Sequence, residues 1–288
     1  MNVSDAFVWK PSSSSNSERQ NSFLLPKSIR GLLIGRSGQG KTTLLNFLLL
    51  HPETLDYDNI IVRGRSLHQP EYKVIRAGLE KGLSKDQIRI IFERQKEVED
   101  MGGIDRLLSE YSGLCPFNIK SNFSSDVTDI PDPSLLSTDK KNLLIVDDVM
   151  IGPQNNIENY WCRGRHNCVD CFYISQSYFR LPRQTIRENS NIFFIFPQDS
   201  KNLIHIYRDL AAIDGIAYST FQTFCADVWR EKYNFVTIDL TKPCDLGKYR
   251  KNLNEYWSPK YDRLMRYLSD QDVTSLQDDD VLSHDDFN

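Results

Sequence analysis

The chain has 288 residues, 40% hydrophobic and 26% charged, with a formal net charge of −4. This length fits one α/β domain of about 200–250 residues with tails, and the charge excludes a uniformly basic, histone-like nucleic-acid binder. Six cysteines with no apolar leader point to reduced thiols in a soluble intracellular protein, and no apolar run nears the roughly 18 residues of a membrane span.

Residues 1–26 read as a low-complexity tail, because the Ser-rich stretch 11–17 cannot bury apolar surface. Phe7, Val8, Trp9, Phe23, Leu24 and Leu25 are apolar exceptions suited to docking. The folded body is expected over 27–242. A C-terminal extension follows over 243–268, where Tyr256, Trp257, Tyr261, Leu264, Met265, Tyr267 and Leu268 predict a short amphipathic helix. Residues 269–288 predict an acidic, disordered tail. The seven aspartates beyond residue 267 face no Lys or Arg, so without them the chain is at +3. Any nucleic-acid contact must therefore come from a local basic patch.

Within the body, short apolar runs predict strands at 32–35, 59–63, 142–147, 169–175, 192–196 and 235–240. Helical patterns lie near 41–50, 71–81, 84–99, 154–163, 199–213 and 217–231. Strands alternating with helices imply crossover connections and a mainly parallel sheet sandwiched by helices. Several strands are apolar on both faces, as burial between two helix layers requires. Residues 102–139, interrupted by Pro116, Pro131 and Pro133, read as an insertion or lid. Pro70, after the polar run 66–69, reads as a helix start, and segment 66–72 is also suited to face a neighbouring subunit or DNA.

The first chemical signal is Gly35-Arg36-Ser37-Gly38-Gln39-Gly40-Lys41-Thr42, followed by Thr43. Its G-x-x-x-x-G-K-T pattern lies between a predicted strand and a predicted helix, the context of a phosphate-binding P-loop. Glycines let the backbone aim its N–H groups at phosphates, and the helix N-terminus adds attraction for anions. Lys41 would reach the β- and γ-phosphates and Thr42 would offer its hydroxyl to Mg²⁺.

The second signal is the strand 142–147, which ends in Asp147 and Asp148. This Walker B pattern assigns Asp147 to Mg²⁺ and Asp148 to polarising an attacking water. A third strand ends at Ser175-Gln176. If it pairs with the Walker B strand, Gln176 is placed to orient that water or to sense the γ-phosphate. Arg163, Arg165 and Arg187 are candidates for an arginine finger reaching across a subunit boundary. Cys162, His166, Cys168 and Cys171 invite a zinc reading, but their spacing is unfamiliar and buried free thiols explain them better.

No Asn-Lys-x-Asp base-reading motif is present, which argues against a GTPase, and the chain is too short for a second helicase core. The P-loop, the strand 142–148, the segments 164–166, 173–178, 181–189 and 66–72, and the closing run 233–239 together resemble the DNA-packaging ATPases of the FtsK–HerA superfamily. The branch they most resemble is the poxvirus type, shared by large DNA viruses, adintoviruses and Polinton/Maverick elements. The likeness spans about residues 28–240. It implies a RecA-like core, a homo-oligomeric ring (hexamer or pentamer) with ATP at subunit boundaries, and translocation of double-stranded DNA into a capsid. It further implies work in the host nucleus or cytoplasm, or in association with the virion. Gln176 would match the polar sensor of that group, and the trans-acting arginine would map to Arg163, Arg165 or Arg187. Two other classes stay open from the residues alone: a P-loop assembly module that binds ATP without turnover, and a nucleotide kinase.

Overall fold

The computed structural model describes residues 24–51, 54–81, 83–94, 106, 119–150 and 152–260. The expected N-terminal tail up to residue 23, residues 102–105 and 107–118 of the expected insertion, and the acidic tail lie outside these residues.

Nine strands form one sheet in the order β3-β2-β4-β5-β1-β6-β7-β8-β9. They are β1 (Arg30–Ile34), β2 (Asn59–Gly64), β3 (Lys120–Ser124), β4 (Asn142–Asp147), β5 (Val169–Ser175), β6 (Ile192–Ile195), β7 (Val236–Asp239), β8 (Tyr249–Lys251) and β9 (Glu255–Trp257). The first six in sheet order, from β3 to β6, are parallel. The helices are α1 (Lys41–Leu50), α2 (Pro70–Glu80), α3 (Lys85–Arg94), α4 (Asn155–Arg163), α5 (Ser200–Ile206) and α6 (Tyr218–Val228). Every residue of β4, β5 and β6 is buried, because helices cover both faces.

The two faces carry two cores. One contains Leu33, Leu143, Ile145, Phe172 and Phe194 of the sheet with Leu45 and Leu48 of α1, Val74 of α2 and Ile88 of α3. The other contains Leu32, Leu144, Val146, Tyr173 and Phe193 with Trp161 of α4, Ile206 of α5 and Phe221 of α6. Alternate residues of each strand thus serve opposite layers, following the two-residue period of a strand. This is the α/β architecture expected of a RecA-like P-loop core.

Three expectations need correction. Part of the region read as a lid is a strand, β3, which extends the sheet beyond β2. Its sequence Lys-Ser-Asn-Phe-Ser is polar and partly exposed, so it joins through backbone pairing and has no apolar pattern to announce it. The run 253–268 does not form one helix: residues 255–257 are β9, helical backbone starts only at Pro259, and the remainder lies outside the described residues. The strand near 235–240 is present, but antiparallel to β6. Two helices, α5 and α6, separate β6 from β7, and the second reversal sends the chain back in the opposite direction. β7, β8 and β9 then pair antiparallel in sequence, so the sheet continues past the expected limit at residue 242.

A buried ion pair locks this added edge. Asp239 and Arg250 lie 3.3 Å apart, 0% and 1% exposed. Arg250 Nη1 also donates to the carbonyls of Leu24 at 2.8 Å and Leu253 at 3.1 Å. Asp239 Oδ1 accepts from the backbone and hydroxyl of Thr241. Leu24 and Leu25, read as docking exceptions in the tail, are indeed buried here. Removing one member of a buried pair strands the other charge, at a cost of about 3–5 kcal/mol. Asp239→Ala should therefore lower the unfolding free energy by that amount, moving the urea midpoint down with an unchanged slope, a shift readable by fluorescence; a change below about 1 kcal/mol would contradict this role.

Candidate functional site

The site lies at the carboxyl ends of β1, β5 and β4, which are adjacent and in register. Ile34 pairs with Ser175, and Ile174 pairs with Asp147. β5 thus separates the P-loop strand from the Walker B strand, and its tip lies between them as the pairing reading required. Gly35 N donates to Ser175 O at 3.1 Å, and Asp148 N donates to Ile174 O at 3.2 Å. Both neighbouring strands therefore leave the sheet tied to β5.

The segment 35–42 folds as a loop opening directly into α1. Gly38 and Gly40 have φ of 74° and 99°, a region that side chains disfavour, so glycine is required at both turns. Gly40 caps α1 without any side-chain acceptor, and no acidic residue lies in its first turn. The positive end of this ten-residue helix is left for an external anion. Gln39 braces the loop: its Oε1 accepts from Arg36 N at 2.6 Å and its Nε2 donates to Pro197 O at 3.2 Å. The exposed Arg36 guanidinium is 3.6 Å from Asp199. Ser37 and Thr43 line the open cleft. Lys41 is buried, and its Nζ donates to the carbonyls of Gly35 at 2.6 Å and Arg36 at 2.7 Å. Burial depresses its proton affinity, while the nearby Asp147 and then Asp148 oppose that effect.

Asp147 is also buried, and desolvation raises its proton affinity; a hydrogen bond from Tyr72 and the charge of Lys41 pull it back. Tyr72, on α2, donates its hydroxyl to Asp147 Oδ2 at 2.6 Å. Burial raises its own proton affinity well above the ordinary tyrosine range, an effect that the neighbouring Thr42 side chain opposes. The phenol thus holds Asp147 directly, beside the Thr42 side chain that is also expected to hold Mg²⁺. The donor set, a carboxylate and a hydroxyl on rigid elements, suits a hard cation that keeps most of its water.

Asp148 has φ of 53°, an uncommon backbone for a residue that is not glycine. Gln176 Nε2 is 3.5 Å from Asp148 Oδ2, at the long limit of a hydrogen bond. The geometry brings Lys41, Asp147, Asp148 and Gln176 to one place.

The arginines divide differently. Arg163 and Arg165 are exposed at and just after the end of α4. Arg187 is 8% exposed; its Nη1 donates to Asp209 at 2.9 Å, and its guanidinium lies over the Tyr178 ring. It is engaged within its own subunit, so of the three candidates it is the one unsuited to reach a neighbour. Among the described residues, no group of three or more His, Cys, Asp or Glu side chains is arranged to hold a metal ion. Cys171 is buried in β5, as the buried-thiol reading expects, but Cys162 and Cys168 are exposed at and beyond the end of α4, so that reading holds for Cys171 and is corrected for the other two. No described helix is long and apolar enough to cross a membrane.

The cleft around these residues has a volume of about 1190 Å³. It runs from the P-loop past Ser66, Gln69 and Glu71 on one side and Tyr233, Asn234 and Asn252 on another.

No family model matches the chain, and no curated protein matches it in sequence. Solved structures match weakly. The genome packaging NTPase B204 from Sulfolobus turreted icosahedral virus 2 in complex with AMP is 12% identical, with a TM-score of 0.45, over 80% of this chain and 98% of that one. The same NTPase in complex with ATP-gammaS gives 12% identity and a TM-score of 0.40 over 78% and 96%. VirB4 of Thermoanaerobacter pseudethanolicus gives 11% and 0.41 over 79% and 89%. These likenesses are distant in sequence and in superposition, and the site rests on its own geometry.

Tyr72 is the functional residue that the sequence does not announce as one. The helix start at Pro70 is legible, but the partner of Tyr72, 75 positions away, is not. Tyr72→Phe removes the donor that holds down the proton affinity of Asp147. As pH falls, Asp147 should then take up its proton at a higher pH than in the wild type. Because a metal needs the deprotonated ligand, Mg²⁺-dependent nucleotide binding should fail at a higher pH in the variant. Titrating binding from neutral to acidic pH reads this, and superimposable profiles would refute it. The unpaired carboxylate should also cost about 1–3 kcal/mol of stability.

Proposed function

We propose that this chain hydrolyses ATP and uses the energy to translocate double-stranded DNA, as a genome-packaging motor of the FtsK–HerA type and of its poxvirus-like branch. The observation that carries the hydrolytic reading is the alignment of three strand ends: the P-loop with Lys41, Gln176, and the Asp147–Asp148 pair. A phosphate-binding loop alone describes binding. A loop faced by a metal-binding carboxylate, a second carboxylate and a polar amide describes attack on a phosphoryl group.

In this reading the loop amides of 35–42, Lys41 and the N-terminus of α1 hold the triphosphate. Thr42 and Asp147 would hold Mg²⁺, which neutralises charge on the β- and γ-phosphates when bound. Asp148 orients a water in line with the γ-phosphorus and accepts its proton as the new P–O bond forms. The bond from γ-phosphorus to the β-phosphate oxygen breaks, giving ADP and inorganic phosphate. Gln176, between the two motifs, orients the same water and passes loss of the γ-phosphate to the loop after β5.

The ring assembly, DNA and capsid belong to the same proposal. Arg163 or Arg165, exposed at the end of α4, would complete the site of a neighbouring subunit. DNA gripped through its phosphates would bind in a salt-dependent manner.

Phosphate release should be measurable with Mg²⁺ and should rise on adding double-stranded DNA. Lys41→Ala and Asp147→Ala should each lower turnover by at least about 10²-fold, given the worth of such electrostatic groups. Product analysis separates the alternatives: free phosphate supports this reading, a phosphorylated acceptor supports a nucleotide kinase, and bound ATP without product supports an assembly module.

A further inference from the structure

We propose that the two turns flanking β7 and β8 form the nucleobase half of the cleft, with the Tyr233 ring as the stacking surface for the base of a purine nucleoside triphosphate. The proposal rests on the reading of the cleft as an ATP site and specifies where the base goes.

Topology brings the two turns to this end of the sheet. β7 is antiparallel to β6, so its first residue, Val236, pairs with Ile195 at the carboxyl end of β6, beside the P-loop. β8 is antiparallel to β7, so its last residue, Lys251, pairs with that same Val236. The turn before β7 and the turn of residues 252–254 therefore stand together at the P-loop end. They are stitched to each other: Asn252 Nδ2 donates to Asn234 Oδ1 at 3.0 Å, and Asn252 Oδ1 accepts from Phe235 N at 3.1 Å.

Tyr233 is a large aromatic residue left 55% exposed, with φ of 71°. Nothing in the core requires it there, whereas the neighbouring Phe235 is buried. Its ring borders the glycine that caps α1, since a Cβ on Gly40 would sit 3.4 Å from Tyr233 Cδ1. The Lys232 ammonium lies 4.7 Å from the ring centroid. The aromatic surface therefore lines the cleft immediately beside the phosphate loop, a cleft that Thr43 and Phe47 also line.

Size agrees with this placement. A triphosphate occupies only the loop end, yet the cleft, at about 1190 Å³, is as large as sites that enclose whole small molecules, typically about 300–1,000 Å³. Its lining supplies what a base needs: an aromatic plane from Tyr233 beside the loop, apolar contact from Phe235 and Leu253, and an exposed amide at Asn254. Base–aromatic stacking is worth roughly 1–3 kcal/mol by alanine substitution, which corresponds to about 5- to 150-fold in affinity.

The test is ATP affinity, measured by calorimetry on full-length wild type, Tyr233→Ala, Tyr233→Phe and Lys41→Ala, each first shown to unfold at the wild-type temperature. Tyr233→Ala should weaken ATP binding about tenfold or more, and Tyr233→Phe should stay within about twofold of wild type. The proposal is overturned if Tyr233→Ala binds ATP as wild type does while Lys41→Ala loses it; the ATP site then stands without this base wall. It is overturned equally if Tyr233→Phe is as weak as Tyr233→Ala, because the ring is then not the binding surface. Failure of the wild type itself to bind ATP would remove both the ATP reading and this inference.

Discussion

The in-register parallel pairing of β1, β5 and β4 is the constraint on which the site depends. Each strand end contributes one chemical element, and their relative heights are set by backbone hydrogen bonds. A slip of one residue between β5 and either neighbour would turn every side chain of that strand to the opposite helix layer. The cores on both faces resist such a slip, because β4, β5 and β6 are buried along their whole length. Precision at the site is therefore inherited from packing far larger than the site. The backbone of Asp148 is uncommon, with φ of 53°, a conformation costing about 1–3 kcal/mol. The bond from its N–H to Ile174 and the fully buried Val149 beside it hold the chain in that turn.

Electrostatics give the site a different character from the surrounding core. Lys41 and Asp147 are both buried, and burial works against the charge of each. Each offsets the other in part, and Tyr72 offsets the carboxylate further. The sign for stability follows directly. An aspartate whose proton affinity is raised in the fold weakens the fold at neutral pH, and that loss is relieved as pH falls through its raised pKa. The protein thus carries a destabilised pair of charges where an anionic, metal-bearing ligand would compensate both, a common feature of sites that bind charged substrates.

What the sequence discloses follows from how each element is stabilised. The strands β1, β4 and β5 are short apolar runs buried on both sides, so their polar ends at Gly35, Asp147 and Gln176 stand out. β3 is polar and held by backbone pairing, so its residues carry no signal. The aromatic residues Tyr256 and Trp257 recur at a spacing compatible with a helix, but Trp257 stacks on Phe224 of α6 at 4.2 Å and belongs to β9. Arg187 reads as an arginine-finger candidate because its segment is polar. Only the folded chain brings Tyr178 and Asp209 around it. Tyr72 and Tyr233 share this limit: each acts through residues distant in sequence, and an isolated tyrosine has no pattern.

The antiparallel extension gives the cleft two halves built on different principles. The phosphate half uses backbone amides and a helix end on the parallel core, which serve any polyphosphate. The other half uses side chains on two turns at the end of β7 and β8. Those turns are not loosely attached, because Arg250 reaches from β8 to Asp239, to Leu24 and to Leu253, the middle residue of the second turn. A wall held in this way keeps its shape before a ligand arrives, and pre-organised groups bind with less ordering cost. Because the two halves hang on separate parts of the sheet, grip on the phosphates and choice of nucleoside would be separable if the proposed base wall holds. Substitution of the exposed Asn254 in the turn 252–254 would alter the second without disturbing the strand ends that position the chemistry.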